Sequence, residues 1–235
     1  VSGTLGHPRL HLRSTDSTND RARALAISGA PHGTLVTASV QTAGRGRQGR
    51  RWSAPPERSL LMSLVLRGSP LPRLLPLIAA VAVCDVAGED VRVKWPNDIV
   101  FVGPSGLAKL AGILTEGRPQ EGWAVLGIGL NVAVRLDELP AELQATAATL
   151  GESPTAIEPV LARLLTALGR RLAEPTEALL DAYRARDALR GREIRWSGGY
   201  GRAEGIDGEG RLVVALGGGG HTSLDAGEVH LQRRV

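Results

Sequence analysis

The run Gln41-Thr-Ala-Gly-Arg-Gly-Arg-Gln-Gly-Arg-Arg-Trp52 constrains this chain more than any other stretch. It follows a strand-like segment and carries three glycines, four arginines and a closing tryptophan. Glycine lets a backbone approach a ligand closely but has much entropy to lose on ordering. Crowded cations on such a backbone repel one another until a polyanion arrives. An anionic ligand with an aromatic ring, a nucleotide, answers both needs. A solvated basic hairpin loop is the plain alternative. The spacing Gly44-x-Gly46-x-x-Gly49 also matches a dinucleotide fingerprint, but that motif needs a strand–turn–helix and an acidic residue about 20 positions on. Here Ser53-Ala-Pro-Pro56 follows, a poor helix opening, and no Asp or Glu lies between Glu57 and Asp85. The dinucleotide reading is therefore rejected.

A chain of 235 residues, 43% hydrophobic, can build one large domain with a small one beside it. Of 28 basic residues only two are lysines, Lys94 and Lys109. Arginine bias of this kind fits a GC-rich genome. It also draws notice to the two sites that keep a compact, rotatable charge in place of a planar fork. The lone Cys84 rules out an internal disulfide scaffold and fits a reducing, cytoplasmic compartment. Its neighbours Val81-Ala-Val83 mark it as a packed core thiol. The apolar stretch Leu74–Cys84 contains Pro76 and is too short to span a bilayer, so no membrane association is expected.

Alternation predicts strands at Arg9–Arg13, Thr34–Val40 and Ser59–Leu66. A helix over Asn19–Ser28 is expected after a Ser17 or Thr18 cap, and Leu74–Ala87 reads as a buried helix. Val91–Lys94, Ile99–Val102, Leu107–Glu116 and Trp123–Val134 are further strand candidates. Residues 138–188 turn helical, with breaks at Gly151, Pro154 and Pro175. Beyond Gly191, short runs at Glu193–Trp196, Arg202–Ile206, Leu212–Ala215 and Val229–Leu231 alternate with glycine-rich turns, as in a small β-barrel. The expected division is 1–189 and 190–235.

Three further constellations carry chemistry. Lys94-Trp-Pro-Asn-Asp98 presents an amide and a carboxylate from a proline-stiffened turn. Lys109-Leu-Ala-Gly-Ile-Leu114 brings a lysine into a strand beside a glycine that leaves room on one face. Gly127-Ile-Gly-Leu-Asn131 combines two glycines with an amide. Singly, each has a structural reading: a solvated strand end, an ordinary turn, a sheet crowded by a helix. Together with the loop they describe a site with several cations, two amides, one carboxylate and glycine-lined walls.

These motifs resemble those of biotin–protein ligases, biotin–[acetyl-CoA-carboxylase] ligases, whose Gly-Arg-Gly-Arg-x-Gly-Arg-x-Trp, Lys-Trp-Pro-Asn-Asp, Lys-Leu-x-Gly-Ile-Leu and Gly-x-Gly-x-Asn segments all occur here in family order. The resemblance spans about residues 8–235. It implies an α/β (α+β) fold: a mixed β-sheet backed by helices, of the class II aminoacyl-tRNA synthetase-like kind, plus a C-terminal SH3-like barrel. Bifunctional members carry an N-terminal helix-turn-helix that represses transcription; this chain resembles the monofunctional class, with no DNA partner expected. The family's substrates are ATP and biotin, with Mg²⁺, and its acceptor is the carrier domain of an acyl-CoA carboxylase. Members occur as monomers or homodimers.

The resemblance also assigns residues. Lys109 matches the lysine bridging the biotin carboxyl and the α-phosphate. Arg45 and Arg47 match loop residues covering that junction. Ser17, Thr18, Asn19 and Gln41 match positions around the ureido ring, whose N–H donors and carbonyl acceptor suit hydroxyl and amide groups. Gly44 and Gly46 match biotin-binding positions of the loop, and Gly112 makes room for the bicyclic head. Arg50, Trp52, Lys94, Asn97 and Asn131 fall to the nucleotide, with Trp52 against adenine. Asp98 holds Mg²⁺ or orders a lysine. A loop that closes over the acyl-adenylate would shield it from water. Two rivals remain: a lipoate- or octanoate-type ligase of the same fold, and a basic nucleic-acid-binding module. The 3% aromatic content gives the latter few stacking platforms.

Overall fold

A computed structural model describes residues 4–68, 73–103, 106–225, 227 and 229–231; the outer domain limits expected at 1 and 235 fall outside them. The larger part runs β1 (Arg9–Leu12), α1 (Thr18–Ile27), β2 (Leu35–Ala38), β3 (Ser59–Arg67), α2 (Leu75–Ala87), β4 (Val91–Lys94), β5 (Asp98–Gly103), β6 (Gly106–Arg118) and β7 (Trp123–Asn131). Three helices follow: α3 (Ala141–Gln144), α4 (Ile157–Ala173) and α5 (Thr176–Arg184). The strands form one seven-stranded mixed sheet in the order β1-β2-β3-β7-β6-β5-β4. Among the strand pairs of the described residues in this sheet, β1 with β2 is parallel and the others are antiparallel.

Side-chain alternation along the central strands sets the two faces. On β3, Leu60, Met62, Leu64 and Leu66 join the main core with α2 and α4, while Val65 packs with Ala22 and Ala26 of α1 on the opposite face. Apart from Asp85 near its end, helix α2 is apolar on all sides, as suits its place between the sheet and α4, and its residues 77–84 are all buried. Fully burying a Leu or Ile side chain stabilises by about 1.5–3 kcal/mol, so this layer is a principal anchor of the sheet. Cys84 belongs to it, and burial pushes its thiol up to about 12, as befits a packed, unreactive thiol.

The small C-terminal part is a five-stranded antiparallel sheet, order β11-β10-β9-β8-β12. It comprises β8 (Glu193–Trp196), β9 (Gly199–Ile206), β10 (Leu212–Ala215), β11 (His221–Leu224) and β12 (His230–Leu231). Strand β11 was not anticipated: its His-Thr-Ser-Leu sequence is polar and no member of it is buried. The connecting segment covers the free edge of the large sheet, since the Val93 N–H donates to the Arg186 carbonyl and the Ala188 N–H to the Val93 carbonyl. Ile194, Ala203, Leu212 and Val214 of the small sheet enter the same core as α2. Trp95 Nε1 donates to the Gly210 carbonyl at 3.1 Å, fixing the barrel beside the Lys94–Asp98 turn. No helix among the described residues is long and apolar enough to cross a membrane.

Candidate active site

A cleft opens on the sheet face not covered by α2. The Arg/Gly loop roofs it as a short hairpin: Trp52 N–H donates to the Gly44 carbonyl at 2.9 Å and Gly46 N–H to the Arg50 carbonyl at 2.7 Å. Gln48 (φ 54°) and Gly49 (φ 75°) turn it through the left-handed region. The space beneath and before it is open to solvent and spans about 910 Å³ with that solvent included. The lining draws on all four motifs and on residues 17–19.

The floor is built from facing glycines. Gly112 of β6 pairs with Gly129 of β7 across the sheet. The Trp52 indole lies on them: a Cβ at Gly129 would sit 2.5 Å from Trp52 Cε2, and one at Gly112 would sit 3.1 Å from Trp52 Cζ3. Trp52 Nε1 is buried without a hydrogen-bond partner among the described residues.

A β-bulge brings the chemistry together. Asp98 pairs with Gly112 and Ile99 with Ala111, but Val100 pairs with Lys109, leaving Leu110 as an extra residue. In a regular strand Lys109 and Gly112 would face opposite ways; the bulge puts both on the cleft side. Lys109 Nζ there meets Asp98 Oδ1 at 2.7 Å and stands 5.7 Å from the centre of the Trp52 ring. Asn97 is held rigidly, its Nδ2 donating to the Ile113 carbonyl while its Oδ1 accepts from Arg47 at 2.9 Å. Arg47 and Lys109 thus approach the cleft from roof and floor.

The other end is a hydroxyl–amide cluster at the start of α1. Gln41 Oε1 accepts from Thr18 N–H at 2.7 Å and Thr18 Oγ1 at 3.0 Å. Buried Ser63 Oγ lies 2.9 Å from Thr18 Oγ1 and 2.6 Å from Asn19 Oδ1. Ser17 is buried beside them and lines the cleft.

Three expected residues stand differently. Arg45 lines the cleft, but its guanidinium is tied to carboxylates: it donates to Asp20 Oδ1 at 2.6 Å and to Glu116 Oε1 at 2.9 Å. Its guanidinium is held above its usual pKa; burial works against the charge, but Glu116 and Asp20 outweigh it. Asn131 does not line the cleft. Its Nδ2 donates to the Ala148 carbonyl and its Oδ1 accepts from Ser59, so its amide ties β7 to β3 and to the segment after α3. Gly44 also lies outside the lining; a Cβ there would meet the Trp52 carbonyl at 2.5 Å, so it closes the hairpin. Sequence reading missed Asp20, Ser63 and Glu116. Ser63 was recoverable, since it sits on the polar phase of an otherwise apolar strand.

The cleft and fold have counterparts in known proteins. The model of the biotin/lipoate A/B protein ligase family matches residues 11–132, and that of the biotin protein ligase C-terminal domain matches 191–231. The biotin–[acetyl-CoA-carboxylase] ligase of Mycobacterium tuberculosis is 35% identical over 88% of this chain and 83% of its own length. The chain belongs to the biotin protein ligase family. Another relative of this ligase is the bifunctional ligase/repressor BirA of Bacillus subtilis, 36% identical over 89% of this chain and 70% of BirA. The solved structure of the biotin protein ligase from Aquifex aeolicus in complex with biotin and ATP superposes with a TM-score of 0.80 and 26% identity, covering 97% of this ligase and 100% of that chain.

Proposed function

We propose that this ligase activates biotin with ATP to biotinyl-5′-AMP and transfers the biotinyl group to a carrier lysine, with Lys109 and Arg47 meeting the reacting anions. The observation that carries the reading is the bulge that sets Lys109 between Asp98, the glycine floor and the loop. In the first step a biotin carboxylate oxygen bonds to the α-phosphorus and the bond to pyrophosphate breaks. Two unit charges about 4 Å apart repel by about 4 kcal/mol at an effective dielectric of about 20. A lysine and an arginine already in place offset that repulsion and stabilise charge developing at phosphorus. In the second step the acceptor amine attacks the acyl carbon, AMP departs and the amine loses a proton.

The Thr18–Asn19–Gln41 cluster, with Ser17, supplies donors and acceptors for the ureido group. Arg50, Lys94 and Asn97 serve the phosphate side, with Trp52 as the apolar wall. Among the described residues no group of three acidic, His or Cys side chains gathers as a metal cage. Asp98 is the carboxylate in the lining. That donor set fits Mg²⁺, which is commonly held by one or two carboxylates plus substrate phosphates. Asp98 would hold it there, and the ion would neutralise triphosphate charge. By analogy with the relative from M. tuberculosis, we infer that the acceptor is the carrier domain of an acetyl-CoA carboxylase and that the enzyme works in the cytoplasm. Residues 1–189 form the catalytic unit and 190–235 the barrel.

Pyrophosphate–ATP exchange with Mg²⁺, run with biotin, lipoate, octanoate or no acid, tests the reading. Exchange is expected with biotin only and is expected to vanish in Lys109→Ala. Exchange with lipoate or octanoate in place of biotin would overturn the substrate assignment, and full exchange in the variant would overturn the role of Lys109.

A further inference from the structure

We propose that Glu116, a residue of β6 outside the four motifs, sets the hydrogen-bonding polarity of the ureido end of the cleft by fixing the Asn19 amide, and at the same time latches the loop through Arg45. The proposal rests on the biotin reading above and names a positioning residue for it.

Glu116 has two partners that make the same demand. Its Oε1 accepts from Arg45 at 2.9 Å, and its Oε2 accepts from Asn19 Nδ2 at 2.9 Å. A carboxylate only accepts. Asn19, which lines the cleft, must therefore turn its NH₂ toward Glu116, leaving Oδ1 to accept from Ser63. Gly127 provides the space, since a Cβ there would overlap Asn19 Oδ1. In the same cluster, the Thr18 N–H and hydroxyl occupy Gln41 Oε1 and leave the Gln41 NH₂ as a donor. The cluster thus combines an acceptor on Asn19 with a donor on Gln41, the complement of a group with N–H and C=O.

Replacing Glu116 by glutamine sets the two demands against each other. Gln has one acceptor and one donor end. Arg45, tied also to Asp20, keeps the acceptor. The Gln NH₂ then faces Asn19, whose amide must flip to accept from it. The cleft would meet the ureido N–H with a donor, and a mismatched buried polar group carries its full desolvation cost.

The test is steady-state exchange kinetics on wild type, Glu116→Gln, Asn19→Ala and the double variant, with thermal melting of each. Glu116→Gln is expected to raise KM for biotin about tenfold or more, with kcat within about twofold and KM for ATP unchanged. In the Asn19→Ala background the same change should add almost nothing to KM, because Glu116 acts through Asn19. Equal effects in both backgrounds, or a fall in kcat at constant KM, would overturn the proposal. If Glu116→Gln does not fold, Glu116→Asp replaces it; the shorter carboxylate cannot reach both partners and should show the same loss of effect without Asn19. Wild-type enzyme with no biotin-dependent exchange would bring down the biotin reading itself; normal wild-type exchange with an unchanged KM in the variant would sink the Glu116 proposal alone.

Discussion

At the scale of single residues the site depends on what is missing as much as on what is charged. Gly127 has no functional group, yet a Cβ there would occupy the place of Asn19 Oδ1. Its φ lies outside the left-handed region, so alanine fits the backbone and the whole effect falls on Asn19. Gly127→Ala is expected to raise KM for biotin more than tenfold in pyrophosphate exchange and to cost about 1–3 kcal/mol of stability by overpacking. A variant that melts like wild type and keeps its KM would show that Asn19 does not touch the substrate. The residues of this site were unevenly legible. Lys109, Arg47, Asn97 and Asp98 could be named from their motifs, and the structure gathers them in one cleft. The facing of Lys109 could not be read, because strict alternation puts it opposite Gly112 and only the extra residue Leu110 reverses that. Nor could the direction of Arg45: an arginine in a glycine loop reaches many ways, and the carboxylates that claim it lie 25 and 71 positions away in sequence.

Secondary elements were legible where periodicity was strong. The strands β3, β6 and β7 and the helix α2 stand where their apolar patterns put them: β3, β7 and α2 are buried along most of their length, and β6 adds Leu110, Ala111 and Ile113 to the core. Legibility failed at the rim. Strand β11 carries no apolar phase, and it exists because β10 offers it a ladder from Leu212 to Ala215. Between helices, the attachment of α2 to α4 rests on one ion cluster as well as on apolar contact. Asp85 of α2 accepts from Arg171 Nε at 2.7 Å and Nη2 at 2.8 Å, and from Arg170 at 2.7 Å; Arg171 also reaches Glu174. Burial works against the Asp85 charge, but Arg171 and Arg170 outweigh it and hold the carboxyl below its usual range. A lowered carboxylate stabilises above its unfolded pKa, and that contribution is lost as pH falls through the folded value. Arg171→Ala is therefore expected to cost about 1–3 kcal/mol at neutral pH, with the difference narrowing in acid. Urea unfolding at pH 7 and pH 3 measures it, and an equal loss at both would show that packing of the Arg171 stem, rather than its charge, is what holds α4.

Across the whole molecule, catalytic sheet and barrel share one core, and near their junction lie two buried polar atoms without a hydrogen-bond partner among the described residues. Asp187 lies between α5 and β8, where its Oδ1 accepts from the Leu189 N–H at 2.8 Å. Its Oδ2 is buried without a hydrogen-bond partner among the described residues, as is the hydroxyl of fully buried Tyr183. Burial pushes the Asp187 carboxyl above its usual range, only partly opposed by the N–H groups of Leu189 and Arg190 and by the Arg190 charge. The sign is opposite to that of Asp85. A raised folded pKa means that the native state holds a proton the unfolded chain has released. The stabilisation is complete below the ordinary carboxylate pKa and is lost as pH rises through the raised value. Above that value the junction carries a buried charge with one oxygen unpaired. Asp187→Asn keeps the Oδ1 acceptor for Leu189 and removes the charge. It is expected to match wild type near pH 3.5 and to exceed it by about 1–3 kcal/mol at pH 7.5. Tyr183→Phe, which deletes an unpartnered hydroxyl without changing the ring, should be neutral or stabilising at both pH values. Thermal melts of the three proteins across this range decide the matter. An Asp187→Asn protein less stable than wild type at pH 7.5 would mean that the native carboxylate is charged and partnered there, and that the raised pKa assigned to the junction is wrong.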